Sequence, residues 1–183
     1  MNETKKKGAG MAQLVLVLFA ISAITALLLG LVNGLTADAI AANQQAKIEK
    51  AMNEVLPASA YTDVTEAYNG GDATVTSIYQ ADGAGYVVQV SPAGSFSGTL
   101  SVMVGVTSDG ACSGISIVKS SETPGLGANA SKDFFREQFQ GLSGTASVTK
   151  DGGTINALTG ATITSRAVCS AVNSAVAAAA SMG

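Results

Sequence analysis

The sequence predicts an α+β fold, an antiparallel sheet with flanking helices, preceded by one N-terminal transmembrane helix. Two observations support this prediction. Residues 14–35 form an almost wholly apolar run, and short β-branched runs separated by Gly, Asp and Ser begin near residue 73. Because strands are followed by a helix, further strands and a last helix, the order favours α+β.

The apolar run is long enough to cross a membrane. No charged residue occurs between Lys7 and Asp38. As a helix, the run from Leu14 to Leu35 extends roughly 33 Å, against about 30 Å for a hydrocarbon core. A cleaved signal peptide is the alternative, since Ala-Asp-Ala at 37–39 resembles a cleavage site. Signal peptides usually have shorter apolar regions of about 7–15 residues, which favours a retained anchor over 13–36.

The charges beside this helix predict its orientation. Lysines occupy positions 5–7, and none follows the helix closely. The positive-inside bias therefore places residues 1–12 in the cytoplasm. We expect a single-pass protein of the cell membrane whose C-terminal part is extracytoplasmic.

A helical stalk is predicted between the anchor and the domain. Residues 37–56 have helical character, with Ile40, Ile48, Met52 and Val55 roughly on one face, and Pro57 ends the pattern. We therefore assign 37–57 to a stalk or linker and 58–183 to the extracytoplasmic domain.

Hairpins are predicted in the first half of that domain. Turn signals at 81–83 and 108–110 separate runs that are typical of strands. The predicted strands are 74–79, 85–90, 100–106 and 114–118.

The second half is predicted to mix helices and short strands. Ser131 can cap a helix that runs to Phe139, with Phe134 and Phe135 joining Phe139 on a core face. The remaining predicted elements are strands at 146–148 and 154–157, a turn at 151–153 and a helix over 165–180.

Composition argues against several classes of function. Beyond residue 37 there are seven basic and twelve acidic residues, a net charge of −5, and no basic patch, which argues against nucleic acid. The chain has no His and no metal-ligand spacing, so no metal site and no hydrolytic catalytic residue is assigned. Cys112 and Cys169 could pair in an exported domain, but two small buried side chains are the favoured interpretation.

The segment N-A-L-T-G-A-T-I-T-S-R-A-V, residues 156–168, is the first candidate site. Gly160 allows a tight turn before the last helix, whose first N–H groups attract phosphate. From spacing alone, simple helix capping by Thr and Ser is the favoured interpretation of these hydroxyls. Arg166 could pair with a phosphate or remain an ordinary exposed helix charge.

Thr-Gly-Ala-Thr at 159–162 resembles the flavinylation motif of the FMN-binding domain family, Asp-x-x-Ser/Thr-Gly-Ala-Thr. The resemblance implies that Thr162 carries a covalent FMN through a phosphoester. Asn156 stands where that family usually has the Asp thought to help recognition by a flavin transferase. The other cofactor-binding positions that it implies here are Thr159, Gly160, Ala161, Thr164 and Ser165.

A second segment, S-E-T-P-G-L-G at 121–127, resembles the loop that lies beside the flavin in the same family, although Pro-Gly alone indicates an ordinary turn. The positions implied are Glu122, Thr123, Leu126 and Gly127. With the single N-terminal helix and the order of the motifs, the chain is similar to the G subunits of Rnf-type complexes, which are homologous to a subunit of the sodium-pumping NADH:quinone reductase.

That resemblance implies an electron relay between ferredoxin and NAD, coupled to Na⁺ or H⁺ translocation and not catalytic alone. The implied partners are membrane and iron–sulfur subunits, a flavin transferase and membrane lipid. Gly30 and Gly34 could allow close helix approach, or belong to an ordinary anchor. Two other functions stay open: a stand-alone extracytoplasmic flavinylated reductase, and a non-catalytic anchored binding module.

Overall fold

The computed structural model describes residues 10–183, which fall into two units divided between Gln45 and Ala46. The lysines at 5–7, on which the predicted orientation depends, lie outside the described residues. The boundaries proposed for anchor, stalk and domain remain predictions.

One continuous helix, α1 (Met11–Val55), contains both the predicted anchor and the predicted stalk helix. Its apolar part is long enough to span a membrane and has exposed side chains. Helices satisfy their own backbone hydrogen bonds, as lipid requires. The helix is thus consistent with a single-pass membrane anchor.

The second unit contains the predicted antiparallel sheet. Five strands pair in sequence order, and each pair is antiparallel. The strands are β1 (Tyr61–Asp63), β2 (Val75–Ala81), β3 (Gly85–Val90), β4 (Leu100–Thr107) and β5 (Cys112–Ser120). The predicted hairpin turns join β2 to β3 and β4 to β5. The short edge strand β1 was not predicted.

Alternation along the strands supplies two apolar faces. Val87 and Met103 belong to a cluster with Met52 and Val55 at the end of α1. Their neighbours in sequence, such as Val88, belong to the larger cluster with the last helix. That helix, α3 (Thr162–Met182), begins three residues before the predicted start.

The predicted helix over 131–139 is broken into three short pieces. They are a 3₁₀ turn at Gly127–Ser131, α2 (Asp133–Arg136) and a 3₁₀ turn at Glu137–Phe139. Ser131 does not cap a helix, because its hydroxyl donates to the Ala128 carbonyl at 3.0 Å.

The predicted core face of this segment is only partly right. Phe135 and Phe139 are fully buried and meet edge to face, with 5.4 Å between ring centroids. The expectation for Phe134 was wrong, since it points outward and is 63% exposed.

The two short strands predicted near 146–157 are reduced to one parallel bridge between Val148 and Ile155. A 3₁₀ turn at Thr149–Asp151 lies between these residues.

Cys112 and Cys169 are buried free thiols, as favoured. Burial raises the pKa of each thiol to about 11.

Candidate functional site

A cavity of about 400 Å³ lies at the start of α3. Both segments that the sequence singled out contribute to its wall, together with two residues from elsewhere in the chain. The lining residues are Phe96, Glu122, Thr123, Leu126, Gly127, Lys150, Gly160, Ala161, Thr162, Ile163 and Thr164.

The first turn of α3 faces this cavity with open backbone donors. Gly160 has a φ of +72°, a conformation that favours glycine, and turns the chain into the helix. Ala161 precedes the helix and offers no side-chain cap. The Ser165 N–H makes the first helical bond, to the Ala161 carbonyl at 3.0 Å. Among the described residues, the N–H groups of 162–164 have no acceptor, so this end is suited to an anion.

The four hydroxyls of the segment differ sharply in their surroundings. Thr164 and Ser165 are buried, and both hydroxyls are engaged: Thr164 with Glu122, and Ser165 with the Ala161 carbonyl and the Leu158 N–H. Thr162 is half-buried at the cavity, and its hydroxyl has no hydrogen bond among residues 10–183. Of the four hydroxyls in this segment, Thr162 is thus the one that presents an unbonded hydroxyl to this cavity; Thr123, in the 121–127 segment, also lines it with an unbonded hydroxyl among the described residues.

Thr159 and Asn156 lie away from this wall. Both are exposed and line a second cavity of about 510 Å³, which shares Leu126 with the first. The backbone of Asn156 is held by Gln138, whose Oε1 accepts the Asn156 N–H at 2.7 Å. The Asn156 side chain is thus left exposed beside the first cavity rather than in it.

Glu122 is the buried carboxylate of the site, only 5% exposed. Its Oε1 accepts the Ser97 N–H at 3.0 Å and the Ser97 hydroxyl at 2.8 Å, while its Oε2 accepts the Thr164 hydroxyl at 2.7 Å. Burial alone would raise the pKa of this carboxyl, but these hydrogen bonds outweigh it and hold the pKa below its ordinary value. The group is therefore an anion at neutral pH.

Gly127 allows the loop at 121–127 to close over Glu122. A Cβ at this position would come within 2.5 Å of the Glu122 Oε2 and 2.7 Å of the Thr164 Oγ1. Only glycine fits this approach without displacing the hydrogen-bonded pair.

The two cations near the site play different parts. Arg166 forms a bidentate pair with Asp151, at 2.7 and 2.6 Å, and does not line the cavity. The hydrogen bonds from Arg166 hold the pKa of Asp151 below its ordinary value. Lys150 lines the cavity instead.

Sequence reasoning missed part of the wall. Phe96, Ile163 and Lys150 line the cavity, and Ser97 holds Glu122. Phe96 and Ser97 lie in a Pro-, Gly- and Ser-rich segment whose local pattern indicates only a strand break. The contact between Ser97 and Glu122 joins residues 25 positions apart, so no local signal could identify it.

Exposed apolar side chains gather at the two cavities. In residues 46–183, each large apolar side chain that is exposed lines one or both of them. These side chains are Phe96, Leu126, Phe134 and Ile163. The volumes of the two cavities, about 400 and 510 Å³, lie in the usual range for small-molecule sites. The residues present thus fit a ligand with an anionic end and a flat apolar body.

Comparison with known families agrees with both motifs. The FMN-binding domain model matches residues 95–177, and the model of the RnfG N-terminal region matches residues 1–55. The first match contains the whole cavity wall, and the second contains α1.

Similar proteins cover most of the chain. The chain is 34% identical to the G subunit of an ion-translocating oxidoreductase complex of Methanosarcina acetivorans, over 96% of both chains. It is 36% identical to the G subunit of a Na⁺-translocating ferredoxin:NAD⁺ oxidoreductase complex of Acetobacterium woodii, over 88% of this chain and 87% of that one. It is 39% identical to the G subunit of a proton-translocating ferredoxin:NAD⁺ oxidoreductase complex of Clostridium ljungdahlii, over 75% of each.

Proposed function

Because the chain belongs to the RnfG family and contains an FMN-binding domain, we propose that it is an electron-transfer subunit with FMN esterified to Thr162. The observation that carries this proposal is the Thr162 hydroxyl, which lies at the cavity without a hydrogen bond among the described residues. It also lies at the uncapped start of a 21-residue helix.

The other hydroxyls of the segment are less suitable for attachment. Thr164 and Ser165 are at most 1% exposed, and esterifying either would break a buried hydrogen bond. Thr159 is exposed but faces the neighbouring cavity. Thr162 combines access, a free hydroxyl and nearby N–H donors.

Forming the ester requires an activated FMN donor, which a flavin transferase would supply. Such a donor, a phosphoanhydride of FMN, would transfer its FMN phosphoryl group to the Thr162 oxygen; the anhydride P–O bond would break, the other phosphate would leave with the bonding electrons, and the hydroxyl proton would be released. The N–H groups at the start of α3 are suited to hold the phosphodiester that remains.

Bound FMN would supply the redox chemistry, and this chain's residues would hold it and shape its environment. Phe96, Leu126 and Ile163 can cover an apolar ring face and exclude water. Gly127 and Glu122 keep the loop close to α3.

Within a complex, this chain would be one relay station. The similar subunits from Acetobacterium and Clostridium belong to complexes that connect ferredoxin and NAD⁺ with ion translocation. We propose the same assembly here, with iron–sulfur and membrane subunits as partners. Residues 13–36 would anchor the chain in lipid, with the N-terminus cytoplasmic and the flavin domain extracytoplasmic.

The first test is covalent flavin on the full chain. Wild type and Thr162→Ala would be co-expressed with a flavin transferase, and the membranes resolved on a denaturing gel under ultraviolet light. We expect a fluorescent wild-type band and a background signal from Thr162→Ala, because the variant has no oxygen to esterify. Thr154→Ala, at an exposed threonine that lines neither cavity, is the matched control and should fluoresce as wild type does.

Other outcomes would change the proposal in defined ways. Fluorescent Thr162→Ala would refute the attachment site and direct attention to Thr164. A dark wild-type band that becomes fluorescent in Asn156→Asp would show that the transferase needs the carboxylate. A dark band in both would refute covalent attachment.

A further inference from the structure

The Glu122 carboxylate carries a charge that no cation beside it neutralises. Its three hydrogen-bond donors, two from Ser97 and one from Thr164, are all neutral. No ion pair of the described residues involves it. Neutral donors stabilise an anion without cancelling its charge, so the field of Glu122 remains in the cavity.

The position of this charge makes it effective. Glu122 lines the same cavity as Thr162 and is 5% exposed, so little water screens it. Lys150, the cation of the cavity wall, is exposed and strongly screened by solvent. Asp151 is a nearby anion, but Arg166 pairs with both of its oxygens.

The same carboxylate joins three segments of the wall. Ser97 follows Phe96, Glu122 belongs to the loop with Leu126, and Thr164 lies in the first turn of α3 beside Ile163. The charge is thus fixed in place by the segments that provide the apolar lining.

We propose that Glu122 is a fixed negative charge that lowers the reduction potential of the flavin bound at Thr162. The hydrogen bonds from Ser97 and Thr164 limit the size of this effect. The inference rests on the proposed flavin attachment. Electrons arriving from a reduced partner centre add negative charge to the ring unless protons accompany them. A nearby anion opposes that charge, so it favours the oxidised form.

The test is a spectroelectrochemical titration of the purified full chain in detergent at pH 8, with covalent flavin content measured separately on a denaturing gel. Glu122→Gln keeps the size of the side chain and removes the charge, so the midpoint potential should shift to a more positive value. Glu122→Asp restores the charge and should return the potential toward that of wild type.

Ser97→Ala should shift the midpoint potential in the opposite direction to Glu122→Gln. It removes one donor but keeps both the carboxylate and the backbone N–H bond. The less compensated charge should shift the potential to a more negative value, and Thr164→Val should act in the same direction. A merely structural role would open the site in every variant and move all the potentials the same way.

The control is Asp82→Asn, which removes an equal charge from an exposed, solvent-screened residue outside the cavity wall and should leave the potential unchanged. Equal potentials for wild type and Glu122→Gln, or shifts of one sign in Glu122→Gln and Ser97→Ala, would overturn the inference. If Glu122→Gln does not fold, a negative shift in Ser97→Ala supports it and any other result refutes it. Absence of covalent flavin from wild type would instead refute the proposed function.

Discussion

Two carboxylates of the same unit, Glu122 and Glu54, are held in opposite ways. Glu122 accepts hydrogen bonds from neutral donors only. Glu54, at the end of α1, pairs with Arg136 at 2.5 Å and accepts the Ser116 hydroxyl at 2.8 Å. A guanidinium neutralises the charge of a carboxylate, whereas neutral donors do not. Glu54 therefore takes part in a neutral structural contact, whereas Glu122 remains a charged group of the cavity wall.

The surroundings of Glu54 support its structural role. The adjacent Val55 carbonyl accepts the Ser113 hydroxyl, which connects the end of α1 to β5. Arg136 is shared with Asp133 at 2.6 Å. The Glu54 side chain is 40% exposed, so solvent weakens its ion pair.

The largest expected difference is between the free energies of unfolding of Glu122→Ala and Glu54→Ala. Glu122→Ala leaves three donors without an acceptor: the Thr164 hydroxyl, which is buried, and two donors of Ser97, which are partly buried. An unpaired buried donor costs about 1–3 kcal/mol, so the free energy of unfolding should fall by about 2 kcal/mol or more. Glu54→Ala leaves Arg136 paired with Asp133 and unpairs one hydroxyl, that of Ser116, so it should cost less, about 1 kcal/mol. Chemical unfolding of the full chain in detergent measures both.

The ranking matters more than the absolute values. Equal losses in the two variants would mean that Ser97 and Thr164 find water or other acceptors, and that Glu122 is not held as described. Asp82→Ala is a suitable control, because Asp82 is exposed and accepts one long hydrogen bond, from Ser59 at 3.4 Å.

A glycine packs closely against each region and allows the next comparison. A Cβ on Gly105 would meet the Ser113 Oγ and, at 2.5 Å, the Val55 carbonyl. A Cβ on Gly127 would meet the Glu122 and Thr164 oxygens. Overpacking typically costs about 1–3 kcal/mol, so Gly105→Ala and Gly127→Ala should each lower the free energy of unfolding by that amount.

Flavin content then distinguishes the two glycine variants. Gly127→Ala should also reduce covalent flavin, because it disturbs the loop beside Thr162, whereas Gly105→Ala should keep it. Gly114→Ala is the matched control: the nearest atom to its added Cβ, the Val55 carbonyl oxygen, is 3.8 Å away, so stability should change by less than about 1 kcal/mol. Flavin loss in both destabilised variants would indicate a general folding defect.

The sheet was predictable because its information is local. Alternating β-branched residues and the turns at 81–83 and 108–110 define β2 to β5 to within a few residues. The edge strand β1 was missed, since three residues carry too little pattern. The predicted start of α3 at Ser165 is three residues late, because the Ala- and Val-rich pattern begins only after the Thr- and Ser-rich turn, whereas the helix already starts at Thr162.

The site was predictable only where a motif marks it. Thr162 and the 121–127 loop share a cavity, yet nothing local indicates that Ser97 and Thr164 meet at Glu122. Beside the broken helix near 131–139, the Gln138 side chain likewise bonds to the backbone of Asn156, 18 residues away, a contact that no local signal indicates.

The smallest expected effects come from pH and salt. In the folded state, the pKa values of Glu122 and Glu54 both lie below their ordinary value, although burial alone would raise them. Hydrogen bonds from Ser97 and Thr164 lower the pKa of Glu122, and those from Arg136 and Ser116 lower the pKa of Glu54. A lowered pKa means that the stabilisation is present at neutral pH and is lost as pH falls below about 4.5 and through the folded value. Glu122→Gln and Glu54→Gln should therefore each flatten the acid branch of a thermal-unfolding profile.

Added salt should affect the stability contributions of Glu54 and Glu122 differently. At about 1 M salt the screening length is roughly 3 Å, which weakens the partly exposed Glu54–Arg136 pair. The hydrogen bond from Thr164 to Glu122 is buried and those from Ser97 are partly buried, so they should respond less. The stability difference between wild type and Glu54→Ala should therefore shrink with added NaCl, while that for Glu122→Ala persists. If added salt reduced both differences alike, Glu122 would be solvent-screened, and its charge could not act on a flavin in the cavity.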